Sequence, residues 1–274
     1  MKLLKKQIQY TTVKDAVKNH KGLLILYLVI RLIVIGVLIE SIILQNYESA
    51  FLCILTLVLL LIPSFIEKKL HIAIPNALEV VVILFIFSAE ILGEIDRFYI
   101  IFDDWDTMLH TINGFMMAAI GFSLVDIFNR NEKTKFSLSP VYLAFAAFCF
   151  SMTIGVLWEF LEFSVDMLVN MDMQKDTMIN KVNSVLINPS SENMPVHIND
   201  ITKTIIHTTD GKSYTLSGYL DIGLLDTIED LFVNFIGAFV FSVIGFFYVK
   251  SKGKNKFASQ FIPQLDNKED NSKN

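Results

Sequence analysis

Carboxylates recur in this chain at helical spacing, inside stretches that are otherwise almost wholly apolar. Glu90 and Glu94, Asp106 and His110, and Asp226 and Asp230 stand four residues apart, and Glu159 and Glu162 stand three apart. Such spacings put both members of a pair on one helix face. An ionisable side chain in an apolar span is costly, and it belongs in a bundle interior or a hydrated cavity rather than against lipid. A histidine among several carboxylates is a donor set for Zn²⁺, Mn²⁺ or Fe²⁺, whereas carboxylates with carbonyls and water suit Mg²⁺ or Ca²⁺. The expected ligands of a divalent metal are His110, Glu159, Asp226 and Asp230. Glu159 and Glu162 are the candidate catalytic carboxylates, and Asp106, Glu90 and Asn234 form a supporting polar layer. In a hydrolytic version the ion activates water and Glu162 serves as general base. Two other uses of the same acids stay open: a proton or cation pathway, and a structural hydrogen-bond network. No H-E-x-x-H spacing is present. Ser164 is a poor nucleophile candidate. Cys53 and Cys149 lie in apolar runs without a C-x-x-C pattern and read as buried small hydrophobes.

The elements that must position these groups are membrane spans. Of the 274 residues, 53% are hydrophobic, and the apolar runs reach the roughly 20 residues that cross a bilayer core. The expected fold is all-α: a polytopic transmembrane bundle of about six helices near 22–44, 50–66, 77–97, 105–128, 140–167 and 219–249. The first run is too long for a signal-peptide core, so it reads as a retained helix. Pro63 leaves the end of the second span uncertain, and Pro75 and Pro140 suit helix starts. Lys and Arg alternate between loops. They are dense before Lys21, at Lys68 and Lys69, at Arg130, Lys133 and Lys135, and from Lys250 to Lys256, and sparse between 40 and 49 and between 96 and 104. The positive-inside rule then puts both termini in the cytoplasm. Three parts follow: a basic N-terminal segment 1–21, a transmembrane domain 22–250, and a cytoplasmic polar tail 251–274 that is expected to be disordered from Gln264 on.

With that topology every acidic pair falls at the outer end of its helix. Glu90, His110, Glu159 and Asp226 each lie roughly 10 Å below that end at 1.5 Å per residue. The reading is a single acidic pocket open to the outside. Glu94, Asp103, Asp104 and Asp166 read as interfacial, and Trp105 and Trp158 as belt or pocket-wall aromatics. The loop 170–218 should lie outside. Asp210-Gly211 marks a two-residue hairpin, and 171–186 suits a surface helix. His71, His197 and His207 read as solvated loop histidines. Arg31 is expected to snorkel to the inner interface or to pair with Glu79 or Asp126. A weak echo, Asp106-Thr107-x-x-His110 against Asp226-Thr227-x-x-Asp230, suggests two related hairpins meeting at the site.

On W-D-x-x-L-H-x-x-x-G (Trp105 to Gly114), G-x-L-W-E-x-x-E (Gly155 to Glu162) and D-T-x-x-D-x-x-x-N-x-x-G-A (Asp226 to Ala238), the chain resembles the YjdF-type bacterial membrane proteins. More distantly it is similar to the VanZ-like proteins, which are associated with glycopeptide resistance. The resemblance implies a membrane bundle and this choice of site residues, and it brings no agreed activity or cofactor. The leading expectation is a multi-pass protein of the bacterial plasma membrane with a carboxylate/His site near the outer face, acting with a divalent metal on an envelope or lipid-linked substrate. A proton- or cation-coupled transporter and a non-catalytic membrane partner protein are the alternatives. Whether the chain is an enzyme stays open. Expected partners are the lipid bilayer and that substrate; nucleic acid is not among them.

Overall fold

The computed structural model describes residues 21–70, 72–130, 138–190 and 192–265. The basic segment before Lys21, His71, Lys133 and Lys135, and the tail from Asp266 on lie outside the described residues. The helices are α1 (Lys21–Ile43), α2 (Tyr47–Leu59), α3 (Ile62–Leu70), α4 (Asn76–Phe87), the short α5 (Phe98–Ile101), α6 (Trp105–Arg130), α7 (Pro140–Val169) and α8 (Leu224–Lys250). Among the described residues, five helical segments are long and apolar enough to cross a membrane: Lys21–Ile43, Tyr47–Lys69, Trp105–Asn129, Pro140–Val169 and Leu224–Lys250. The remaining expected span is α4 continued without a break by a π-helix, Ser88–Ile95. The bundle is therefore the helical membrane fold that hydropathy suggests.

Local chemistry sets the boundaries. Pro63 cannot continue the helix of α2, since it lacks an N–H and its ring crowds the carbonyl four residues back. The chain turns at Leu60 and Leu61 and resumes as α3. The Leu60 carbonyl at this break accepts from Arg31 Nη2 at 3.4 Å. Arg31 also lies 5.1 Å from the Tyr27 ring centroid, and the Tyr27 hydroxyl donates to Glu79 Oε1 at 3.0 Å. Arg31 thus reaches Glu79 through Tyr27. Pro140 opens α7 with Ser139 as its N-cap, whose side chain accepts from Tyr142 N. Pro75 is the residue just before α4 rather than its first turn.

The π-helix is a departure from the α-helix expected through residue 97. Asp96 N bonds to Ile91 O, the five-residue reach of a π turn, and Arg97 (φ 61°) ends it in the left-handed region. Residues 219–221, expected in the last span, are instead strand β7 (Tyr219–Asp221). It pairs antiparallel with β2 (Thr177–Ile179).

Among the described residues, the long loop between α7 and α8 forms strands and turns. No surface helix forms at 171–186. That stretch supplies β2 and β3 (Val182–Ser184), the latter paired with β4 (Val196–Ile198). The hairpin at Asp210-Gly211 forms between β5 (Thr204–His207) and β6 (Ser213–Leu216), but with five connecting residues. Gly211 sits at φ 84°, and Thr208 N bonds back to Lys212 O, so the turn carries a bulge in place of the two-residue form. The Lys212 ammonium, with the Thr208 hydroxyl, holds the Asp210 carboxyl below its usual range.

Two cores result. One joins α1, α2, α4 and the π-helix around Ile30, Val34, Cys53, Leu60, Ile83, Ile86 and Ile91. The other joins α6, α7 and α8 around Ala118, Ala119, Phe122, Leu143, Ala147, Ala238 and Phe241. Its small residues let backbones approach closely, as membrane helices require. The start of the tail belongs to this second core. Ala258 and Ile262 are buried in it, Phe261 packs edge-on against Phe115, and β8 (Gln264–Leu265) pairs with β1 (Ile72–Ala73). Of the stretch expected to be disordered from Gln264 on, Gln264 and Leu265 are thus in a strand, and the residues from Asp266 on lie outside the described ones.

Candidate functional site

The N-terminal turns of α6 and α8 and the C-terminal turns of α7 meet at the end of the bundle that carries the outer loop. α6 and α8 run parallel, and glycine sets their spacing. A Cβ on Gly114 would stand 2.2 Å from the Asn234 carbonyl oxygen, and one on Gly237 would stand 2.1 Å from that of Thr111. Only glycine fits at either position. This crossing brings His110, one turn above Gly114, against Asp230, one turn above Asn234. The two halves of the Asp-Thr echo therefore face each other across the helix pair.

His110 is the hub. Its Nε2 lies 3.5 Å from Asp106 Oδ1 and 3.9 Å from Asp230 Oδ2, and its Nδ1 lies 3.9 Å from Glu159 Oε1. Two groups of side chains offer ligand atoms within 4.8 Å of one another: Asp106 with His110 and Asp230, and Glu159 with Glu162 and Asp230. Asp230 belongs to both. Glu159 is 4% exposed, Asp230 3%, and His110 and Glu162 7% each. Both oxygens of Glu159, Oε2 of Glu162 and Oδ2 of Asp230 are buried with no hydrogen-bond partner among the described residues. Native structures satisfy nearly all buried polar atoms. One oxygen each from Glu159, Glu162 and Asp230 converges within 4.8 Å, and carboxylates buried together in this way mark a place built for something that binds them.

Glu162 is held by a neighbour read only as a wall aromatic. Trp158 Nε1 donates to Glu162 Oε1 at 2.8 Å, which leaves Oε2 to face inward. Asn234 forms the floor. It accepts from Asn113 Nδ2 at 3.4 Å, and its own Nδ2 stands 3.6 Å from Met152 Sδ. It lies in a notch where a Cβ on Gly155 would come within 2.7 Å of its Nδ2. Ser151 Oγ donates to the Gly114 carbonyl at 2.7 Å, tying α7 to the same crossing.

The site is roofed, where an open pocket was expected. Met173 N and Gln174 N donate to Asp166 at 2.5 and 2.8 Å, and Lys175 N donates to Asp226 Oδ2 at 2.8 Å. Gln174 Nε2 donates to Thr227 Oγ1 at 2.6 Å. Residues 173–175 form a strap from α7 to α8, and Asp166 and Asp226 are its anchors. Asp226, an expected ligand, falls outside both groups because its carboxylate is engaged by the strap. Asp106, expected only as support, takes its place. It is the accessible edge of the site, its side chain 28% exposed. Glu90 and Glu94 lie on the π-helix outside both groups, Glu90 half-buried and Glu94 exposed. A Cβ on Gly93 would strike the Tyr99 ring, so that ring closes over the π-helix. The glycines were visible in the sequence as small residues one turn from His110 (Gly114) and Glu159 (Gly155) and two turns from Asp230 (Gly237). The strap carried no local signal, because its partners are 8 and 51 residues away.

No curated protein and no solved structure matches this chain. The more distant VanZ-like resemblance finds no support in these comparisons. A family model described as "Predicted membrane protein (DUF2238)" matches residues 24–251, which takes in every element from α1 to α8 and the whole acidic site. That is most of the chain, and the chain belongs to this family of membrane proteins, in agreement with its YjdF-type motifs.

Proposed function

We propose that this membrane protein binds a divalent metal ion between α6, α7 and α8. We place it in the bacterial plasma membrane, where the ion would serve hydrolytic action on an envelope or lipid-linked substrate at the outer face. The observation that carries this reading is Glu159, buried opposite His110 and Asp230 with neither oxygen in hydrogen-bond geometry, while the Thr227 hydroxyl and Gln174 amide beside it are bonded to each other. Leaving a buried carboxylate without a partner costs several kcal/mol, on the order of what a bound cation returns. His110 Nε2, Asp106 and Asp230 would hold the ion. The ion would supply Lewis acidity and a hydroxide near neutral pH. Glu162, fixed by Trp158, is placed to take the proton.

The entrance favours an apolar, lipid-linked substrate. Beside Asp106, the short α5 exposes Ile100 and Ile101, and Phe98 and Phe102 pack around Trp105. A chain lying in the bilayer could approach the accessible edge from that side. The tight α6–α8 crossing below the carboxylates speaks against a continuous cation path, since backbones touch there at Gly114 and Gly237.

Metal analysis of the purified full-length chain tests this. Wild type should carry divalent metal, and His110→Ala and Glu159→Gln should carry less of it or hold it more weakly. Wild type free of metal after exposure to Mn²⁺ and to Zn²⁺ would sink the reading. Cation flux in proteoliposomes that depends on Asp230 would replace it with transport.

A further inference from the structure

The imidazole of His110 divides the acids into two sets. Nε2 faces Asp106 and Asp230, while Nδ1 faces Glu159. The two ring nitrogens point away from each other, so an ion bound at Nε2 lies across the ring from the Glu159 oxygen beside Nδ1. Glu159 and Glu162 nevertheless converge with Asp230 into a second group, with orphaned oxygens of their own. We infer that the site holds two divalent cations bridged by the Asp230 carboxylate. One is bound by Asp106, His110 Nε2 and Asp230, and the other by Glu159, Glu162 and Asp230. This rests on the metal-binding reading above and changes its chemistry, because Glu162 then ligates the second ion rather than taking a proton.

Charge and hydrogen bonding agree with a pair. Ionised Asp106, Glu159, Glu162 and Asp230 carry four negative charges. One divalent ion would leave two of them uncompensated where the surroundings are apolar and charges interact strongly. Two ions balance them. Ligation through Nε2 would leave the proton on Nδ1, 3.9 Å from Glu159 Oε1, and a histidine ligand commonly donates its other N–H to a carboxylate once the two close to hydrogen-bond distance. Glu159 Oε2 stays free for the second ion. Glu162 divides likewise, with Oε1 accepting from Trp158 and Oε2 facing inward. Helical bundles hold carboxylate-bridged ion pairs with such donor sets of Glu, Asp and His. Ligands of one ion lie at most about 4.3 Å apart at bonds near 2.1 Å. The separations of 3.5 and 3.9 Å around Nε2 already meet that limit.

The ligand class is a pair of first-row divalent cations, and Mn²⁺ is a probe that reports their coupling. The full chain in detergent is dialysed against Mn²⁺ and, separately, Zn²⁺, and then assayed for metal per chain and for the Mn²⁺ paramagnetic resonance. Wild type should bind two ions and show the broadened spectrum of an exchange-coupled pair. Glu162→Gln and His110→Ala each dismantle one group, so each should keep about one ion; in Glu162→Gln that ion should show the six-line signal of an isolated Mn²⁺. Retention of that ion also reports a folded site. Glu229→Gln, an exposed acid on α8, should keep two. One isolated ion in wild type, or two coupled ions in Glu162→Gln, overturns the bridged pair and leaves the single-ion reading standing. No binding of either metal overturns both.

Discussion

Glu159→Gln separates a functional cluster from a structural one by the sign of its effect. In the metal-free chain it removes one of several like charges crowded within 4.8 Å, so the variant should melt higher than wild type. At an effective dielectric near 20, one such repulsion between ionised groups is worth about 3 kcal/mol. With saturating Mn²⁺ the order should reverse, because wild type gains the binding energy and the variant loses a ligand. A structural hydrogen-bond network predicts a lower melting temperature in both conditions. Asp226→Asn should behave differently: it weakens the anchor that accepts from Lys175 N, costing about 1–2 kcal/mol, and leaves the ion count unchanged. These two acids also show how far the sequence carried. The i,i+4 spacings already placed Asp106, His110, Asp226 and Asp230 on inward faces. They did not tell Asp106 from Asp226, because the strap that engages Asp226 comes from a distant loop.

The helices transmit that geometry through two glycines. Gly114→Ala and Gly237→Ala each put a methyl against a backbone oxygen about 2 Å away, so α6 and α8 must part. Overpacking of this kind costs about 1–3 kcal/mol. Because His110 sits one turn above Gly114 and Asp230 two turns above Gly237, the same displacement should pull their side chains apart and weaken Mn²⁺ binding at least tenfold by titration. Gly36→Ala on α1 meets nothing within 4 Å and should change neither stability nor binding. Equal metal affinity in all three variants would show that the crossing does not set the site. At this scale hydropathy located the spans to within a few residues, except where the last one begins. It did not reveal the π-helix at Ser88–Ile95, whose five-residue hydrogen bonding leaves no periodic mark in so short a segment. It also missed the strands in 171–186, because short pairings of that kind depend on partners such as Val196–Ile198 and Tyr219–Asp221 elsewhere in the loop.

Over the whole molecule, a polar, roofed end faces an end sealed by the returning tail. Composition hid that return: the lysines from 250 to 256 dominate the average, while Ala258, Phe261 and Ile262 dock into the α6–α8 core. Ile262→Ala should therefore destabilise the chain by about 2–4 kcal/mol, read as a lower melting temperature, without altering metal affinity at the opposite end. The orientation of these two ends decides what the site can meet. On the positive-inside rule the lysine distribution leads us to expect the strands and the acidic site outside and the tail inside. With Cys53 and Cys149 replaced by Ser, single cysteines at Thr209 in the hairpin turn and at Lys254 in the tail report the two sides, since both positions are exposed. A membrane-impermeant maleimide should label Thr209→Cys in intact cells and Lys254→Cys only after lysis. The reverse pattern would turn the carboxylates towards the cytoplasm. An envelope substrate would then be out of reach, whatever ions the site binds.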